Sequence, residues 1–395
     1  MRFTKRILSD IYRIALRELD IISEDLDLII ILILSPIFYA FFYSSFYINK
    51  IEQKANVAAV DYDKSDISKR FLYVLSATQN VNLTYIFDDE ESAKQIFLKN
   101  ETFAILIIPK NFSKNLATKK GTQVSLILNN TRFLVSNDIN KAVNEIAYKL
   151  IQDYREKYLY SNGISPSQAS LALEPIKIEL RNNFNSYDTY GDFLIPGILL
   201  LIIQQTLLIG ISESVAKERE ENLFQEVFSS SHSVFSYLIG KSVFYLTLYF
   251  SYFLIFFFVI SKIISIDDSM HINFLTILVL LIPFLASIIL FGMFIGSFFK
   301  RKILALQFFV FTSYPFFLIS GFSWPFDSLP QPLKIFSLAL PTTPFFNGIC
   351  KALYANANLS NVLFETLNLF LIIIALSLSA NFRFRLIKES FNKNY

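Results

Sequence analysis

Residues 28–48 read LIIILILSPIFYAFFYSSFYI, a run without a single charged side chain. At about 1.5 Å of rise per residue a helix over this stretch reaches about 30 Å, the thickness of the hydrocarbon core of a bilayer. Outward from it, five further apolar stretches crowd the second half of the chain: Phe193–Ile211, Phe235–Ile260, Ile272–Phe299, Ile303–Phe322 and Val362–Phe382. The pattern predicts an α-helical polytopic membrane protein with six transmembrane helices. Residues 49–190, between the first two spans, are polar and predict a domain that folds in water.

Composition agrees. Of 395 residues 53% are hydrophobic and 17% charged, against roughly 25% charged in soluble domains. The net charge of +3 is small and the basic residues are scattered, which excludes a clustered nucleic-acid surface. A single cysteine, Cys350, excludes an intramolecular disulfide and a Cys-based metal cage. His232 and His271 stand far apart with no ligand or triad partner at suitable spacing, so neither zinc nor triad chemistry follows from them.

Arg2, Lys5 and Arg6 give the chain a basic start, but the first apolar run begins near residue 28 and is too long for a signal-peptide core. It reads as a retained anchor. Before it, in residues 1–27, Phe3, Ile7, Ile11, Ile14 and Ile22 recur near helical spacing among charged residues. That pattern suits an amphipathic helix, either along the membrane surface or packed on another part of the protein.

Sidedness follows the basic residues of short loops. Lys300, Arg301 and Lys302 lie between spans four and five, and Arg383, Arg385 and Lys388 follow span six. The expected topology puts both termini in the cytoplasm, with 49–190 on the outer face. The loop with Lys262, Asp267 and Asp268 and the connection with Lys334 and Lys351 are then also outside.

Within 49–190 the sequence reads as an inserted α/β domain. Val57–Val60 is a short apolar run; Val81, Leu83, Tyr85 and Phe87 alternate with polar residues; Ala104–Ile108 is continuously apolar like a central strand; Val124, Leu126 and Leu128 alternate again. Asp66–Ala77 and Asp89–Leu98 look helical, and Ile139, Val143, Ile146, Ala147, Leu150, Ile151 and Tyr154 mark a long amphipathic helix. A last strand is expected over Ile176, Ile178 and Leu180.

Ile239-Gly240-Lys241-Ser242 resembles the end of a phosphate-binding loop, but its first glycine position is Phe235, at the start of a span. The chain therefore reads as no enzyme: it lacks ATPase motifs, carries no cofactor of its own, and any ATP and Mg act through a partner subunit. Asp61 with Asp63 and Asp88 with Asp89 read as turn residues. Spans two to five read as free of ionisable groups in their interiors, which argues against a proton-coupled antiporter. Gln204, Gln205 and Thr206 in span two, with Gly292 and Gly296 in span four, suit helix packing or a pathway lining. The segment 213–234, with Glu213–Glu226 (ESVAKEREENLFQE) at its start, reads as a surface helix with Val215, Leu223, Phe224, Val227 and Phe228 on an apolar docking face.

Several motifs, in this order, resemble the bacterial ABC-2 type permeases with a large extracytoplasmic domain between the first two spans. Val60-Asp61-Tyr62-Asp63-Lys64-Ser65 is similar to the family's V-D-x-D-x-S opening, and Ile107-Ile108-Pro109-Lys110-Asn111-Phe112-Ser113 to its I-I-P-x-x-F-S segment. Pro196-Gly197 with Gln204-Gln205 resembles its second span, and Glu218-Arg219-Glu220 its E-R-E coupling motif, with Gly240-Lys241 downstream. Ser320-Gly321-Phe322 with Pro325, Pro330, Pro341 and Pro344 resembles its outer re-entrant segment, here 320–360. One departure stands out: where the family has a Gly-Thr pair after E-R-E and a Pro several residues on, this chain has Asn222, Leu223 and Ser231.

The resemblance implies a half-transporter that pairs with a second permease subunit as a homodimer or heterodimer. It also implies two ABC ATP-binding subunits and a periplasmic adaptor protein as partners, beside membrane lipid. Glu218, Arg219, Glu220, Leu223 and Phe224 would couple it to the ATPase. The reading from another class is a membrane-anchored sensor or scaffold whose outer domain binds a ligand or envelope protein without transport.

Overall fold

The computed structural model describes residues 2–46, 54–118, 121–166, 168, 173, 190–230, 233–260 and 273–392. The chain divides into two units, residues 51–181 and the remainder on either side of them. The expected strand at 176–180, and His232, His271, Lys262, Asp267 and Asp268, lie outside the described residues.

Helix α1 (Arg2–Ser23) opens the first unit. Asp10, Ile14, Glu18, Ile21 and Ile22 are buried on one side, while Leu8, Tyr12, Leu16 and Leu19 are exposed on the other. The helix is thus packed on the bundle and still turns an apolar stripe outward. Asp25 caps the next helix, accepting a hydrogen bond from Asp27 N at 3.1 Å. That helix, α2 (Leu26–Ser45), is the first span and contains a π-helical stretch at Ile30–Leu34.

The second unit follows as β1 (Ala55–Asp61), α3 (Asp66–Ser76), β2 (Val81–Phe87), α4 (Glu90–Leu98), β3 (Ala104–Ile108), α5 (Phe112–Ala117), β4 (Ser125–Leu128) and α6 (Phe133–Ser161). Ser65 and Asp89 cap α3 and α4, accepting from Ser68 N and Ser92 N. The strand order is β2-β1-β3-β4, with β1 parallel to β2 and β3, and β4 antiparallel to β3. On one face Val57, Ala59 and Leu106 pack against Phe71, Leu72 and Leu75 of α3 and Ile139 and Val143 of α6. On the other, Ala58, Val60 and Ile105 meet Ala93 of α4. Covering both faces is why β1 and β3 read as unbroken apolar runs. β2 differs from its expected alternation. A bulge between its pairings with Val57 and Ala58 sets Leu83 opposite Val57 but Tyr85 opposite Ala58, so Ile86 falls on the α3 face and Tyr85 and Phe87 on the α4 face.

The first unit resumes with α7 (Tyr190–Glu220), α8 (Phe224–Ser230), α9 (Val234–Ile255), α10 (Phe274–Gly296), α11 (Lys302–Leu318), α12 (Gln331–Leu338), α13 (Thr342–Tyr354) and α14 (Leu363–Asn392). Among the described residues five helices are long and apolar enough to cross a membrane: Leu26–Ser45, Leu194–Glu220, Val234–Phe258, Phe274–Gly296 and Leu359–Ser390. α11 is shorter, with 17 residues, and ends before the expected Phe322. The Ser320-Gly321 turn stops it, with Gly321 at φ +93° and Ser320 Oγ donating back to Phe317 O.

α7 is the central helix, packed along α2, α10 and α11. Its closest approach is to α10: a Cβ on Gly296 would lie 2.7 Å from Ser212 O, and one on Gly292 2.3 Å from the Ile211 side chain. The small-xxx-small pair is therefore a helix-packing seam. The expected outer segment forms α12 and α13, and Phe345 of α13 stacks on Phe284 of α10 with ring centroids 3.7 Å apart.

A candidate coupling site at one end of the bundle

The apolar run of the second span ends at Ile211, yet α7 continues unbroken to Glu220. Ser212, Glu213, Ser214, Lys217 and Glu218 are all buried. The expectation of a separate surface helix beginning at residue 213 is thus corrected: 213–220 is the buried end of α7, and only Phe224–Ser230 stands apart as α8. Lys217 and Glu218 reach the interior because each is paired there, the condition under which a buried charge is tolerated, whereas Glu213 comes only within 4.0 Å of Lys302 and its Oε2 has no hydrogen-bond partner among the described residues.

Lys241 of α9 is the centre of this pairing. Its Nζ lies 2.7 Å from Glu18 Oε2 of α1 and 3.2 Å from Glu218 Oε2 of α7, and it donates to Ser214 Oγ at 2.8 Å. Arg17 donates to Glu218 Oε1 at 3.1 Å. The Tyr245 hydroxyl donates to Glu18 at 2.8 Å, and the Tyr237 hydroxyl donates to Glu218. Two carboxylates, one ammonium and one guanidinium thus join α1, α7 and α9. This corrects the reading that spans two to five lack an ionisable group, since Lys241 is inside span three and wholly buried. A local signal existed: Glu18 is four residues from both Ile14 and Ile22, which places it on the buried face of α1.

A second cluster ties α2 and α7 to the start of α11. Lys302 Nζ lies 2.8 Å from Asp25, 2.9 Å from Asp27 and 4.0 Å from Glu213, and Lys217 lies 3.0 Å from Asp25. Burial on its own would raise the Asp25 carboxyl. Hydrogen bonds and charge from Lys302 and Lys217 outweigh it and bring it from an ordinary 3.8 down to about 2.

The end of α7 is fixed in turn. Arg219 donates to Ser297 O, just past α10, at 2.7 Å, and Arg383 of α14 donates to the same oxygen at 3.3 Å. Glu220 accepts from Lys302 N at 2.8 Å. Leu223 N then donates to Glu218 O at 2.8 Å across Asn222, whose φ is +58°. This is the helix-ending turn that favours glycine at its left-handed position and admits asparagine. Asn222 therefore serves conformationally where the resembled family has glycine. Leu223 is half-buried, and Phe224 is fully buried among Phe228, Tyr237 and Phe384 of α14. The exposed positions are Glu220, Glu221, Asn222, Gln225 and Glu226. Of the expected coupling residues the structure thus brings Glu218, Arg219, Glu220, Leu223 and Phe224 to one place, but Glu218 and Phe224 face the interior and support the turn from behind.

Gln204, Gln205 and Thr206 lie about two turns of helix before Ser212, where the buried polar stretch begins. Gln204 is fully buried and neither of its amide atoms has a hydrogen-bond partner among the described residues, Gln205 is half-buried, and Thr206 donates back to Ile202 O at 2.7 Å.

Seven helices, the first and the last of the described chain among them, meet here: α1, the ends of α7, α10 and α14, and the starts of α2, α9 and α11 are joined through Lys241, Lys302, Ser297 and Phe384. At the other end Gly197 of α7 lies against the Phe322 ring, Asn273 beside Asn358, and Lys351 pairs with Glu365 at 2.5 Å.

Comparison with known proteins adds two findings. A family model described as ABC-2 family transporter protein matches residues 27–382. The chain is also 22% identical over 189 residues to the probable multidrug ABC transporter permease YbhR of Escherichia coli strain K12, a match covering 48% of this chain and 48% of that protein. The same protein from Escherichia coli O157:H7 gives the same figures. The chain thus aligns with about half the length of these curated relatives.

Proposed function

Because this chain belongs to the ABC-2 family of transporter proteins, we propose that it is the permease subunit of an ATP-driven exporter, forming a translocation pathway as a dimer and coupled to separate ATP-binding subunits. The observation that carries the reading is the continuity of α7. It runs from the centre of the bundle to an exposed acidic turn at 220–222; the buried Glu218 carboxylate pairs it with Arg17 of α1 and Lys241 of α9, and Glu220 accepts from Lys302 N at the start of α11. A displacement applied at that turn is transmitted to the bundle as a rigid movement, because breaking any one buried pair costs about 3–5 kcal/mol.

In this reading α11 is a sixth crossing, short but spanning from Lys302 at the coupling end to Phe317 beside Phe322. The clustering of both chain ends and the basic residues 300–302 at one end supports a cytoplasmic location for that end in a bacterial inner membrane. Residues 51–181 are then extracytoplasmic and available to an adaptor protein. ATP and Mg belong to the partner subunits. Glu220, Glu221, Asn222 and Gln225 meet the ATPase, Arg219 and Leu223 flank that contact, and Gln204, Gln205 and Thr206 border the pathway. The name of the Escherichia coli relative supports efflux of drug-like cargo.

Co-purification with an ABC ATP-binding subunit from native membranes, followed by cargo-stimulated ATP hydrolysis in proteoliposomes, tests this. A stable preparation with no ATP-binding partner, and with ligand binding confined to the polar domain, would return the sensor reading instead.

A further inference from the structure

The bulge in β2 has a product. It turns Ile86 onto the α3 side of the sheet, where α3 does not cover it, and leaves it 61% exposed. Across from it on α3 stands Tyr73, 75% exposed. Between them lies an open cleft of about 530 Å³ floored by Leu72 and Leu83, at the carboxyl end of the parallel pair β1 and β2. Clefts of about 300–1,000 Å³ hold small molecules, and the carboxyl ends of parallel strands are where open α/β sheets place them.

The rim carries two carboxylates and two ammoniums, unequally available to a ligand. Asp61 is spent on the protein itself: it accepts from Asp63 N and Lys64 N at 3.0 Å each and from Ser68 Oγ at 2.7 Å. That turn holds Lys64 at φ +51° and delivers its ammonium to Asp88 at 2.5 Å. Lys69, one helical turn before Tyr73, lines the same cleft and has no carboxylate partner among the described residues. The formal charges of the lining balance, Asp61 and Asp88 against Lys64 and Lys69, but Asp61 is buried with its oxygens turned to its own loop and Asp88 holds Lys64, so the exposed Lys69 ammonium is the charge left to meet a ligand. Apolar walls with that ammonium at the mouth complement a molecule with an apolar body and one negative charge.

We propose that the Tyr73–Ile86 cleft of the α/β domain is a binding site for a free amphiphilic anion of the fatty-acid class, its chain on Leu72, Leu83 and Ile86 and its carboxylate on Lys69. The site is separate from the coupling end, and it stands whether or not the chain exports its ligand.

The test uses the full chain in phosphatidylcholine nanodiscs with a diazirine-bearing decanoate as probe, adducts being mapped by mass spectrometry. Adducts are expected on residues 69–88, saturable and displaced by unlabelled decanoate but not by decyltrimethylammonium. Lys69→Glu should weaken this labelling about tenfold, the worth of one charge-assisted hydrogen bond. Ile86→Glu should weaken it too while admitting a decyltrimethylammonium probe, a reversal that unfolding does not produce. Tyr73→Ser, also at an exposed position, provides a second weakening. Labelling confined to the spans, equal displacement by the cationic amphiphile, or labelling unchanged in Lys69→Glu and Ile86→Glu overturns the proposal.

Discussion

Lys241 and Glu18 stand 223 positions apart in the chain, and their charged groups meet at 2.7 Å with both side chains shut away from solvent. Helix α1 is thereby part of the bundle and not a loose surface segment. Lys241→Met would leave Glu18 and Glu218 facing each other with only Arg17 and hydroxyl donors between them. The expected loss is about 3–5 kcal/mol, read as a lower unfolding temperature in detergent, with most of it recovered in Lys241→Met combined with Glu18→Gln. Lack of recovery would mean that the lysine acts by packing and not by charge.

Asp25 supplies a pH dependence. Its carboxyl is brought down to about 2 in the folded protein from an ordinary 3.8. A depressed carboxyl contributes stability that is fully present above the unfolded value and is lost as pH falls through the folded one. Wild type should therefore be more stable than Asp25→Asn at pH 6, and the gap should close between about pH 4 and pH 2. A gap that persists unchanged at pH 2 would remove the ion pair with Lys302 and Lys217 as its source.

Much of this was legible from the sequence, and the failures are local in cause. β1 and β3 announce themselves because two helical layers cover both faces of the sheet. The β2 bulge has no such mark, since Val81, Leu83, Tyr85 and Phe87 keep perfect alternation while the pairing slips by one residue. The coupling region misled for another reason. Lys217 and Glu218 have the composition of a solvated helix, and only partners remote in sequence, Asp25 and Lys241, make their burial tolerable. Phe224 reads in sequence as an exposed docking residue because Phe384, which covers it, lies 160 residues on.

Gly296 reports on the contact between α7 and α10. An added Cβ there would sit 2.7 Å from Ser212 O and 2.8 Å from Ser212 Cα, backbone atoms that cannot swing aside. Gly296→Ala is expected to cost about 1–3 kcal/mol, the usual penalty of overpacking. Gly121→Ala, with nothing within 4 Å, is the matched control and should be nearly neutral. Thermal unfolding of both variants decides it; equal effects would mean that α10 shifts freely on α7.

The coupling turn separates support from contact. Glu218 is buried between Lys241, Arg17 and Tyr237, so Glu218→Ala leaves the Lys241 charge with one carboxylate fewer and should lower stability before any partner is involved. Asn222 holds φ +58°, so Asn222→Gly should be tolerated, whereas a β-branched Asn222→Val should lose about 1 kcal/mol or more and disturb the turn. Glu221 and Gln225 are exposed and bear little on the fold. Glu221→Arg with Gln225→Arg should therefore leave the unfolding temperature within about 1 °C of wild type, consistent with surface changes of under about 0.5 kcal/mol. The same double variant should weaken co-purification with the ATP-binding subunit and lower cargo-stimulated hydrolysis, because reversing charge at a contact costs affinity without touching the buried hub. If it retains full association and stimulation while Glu218→Ala loses them at undiminished stability, the contact runs through the hub itself and the exposed turn is only its cap.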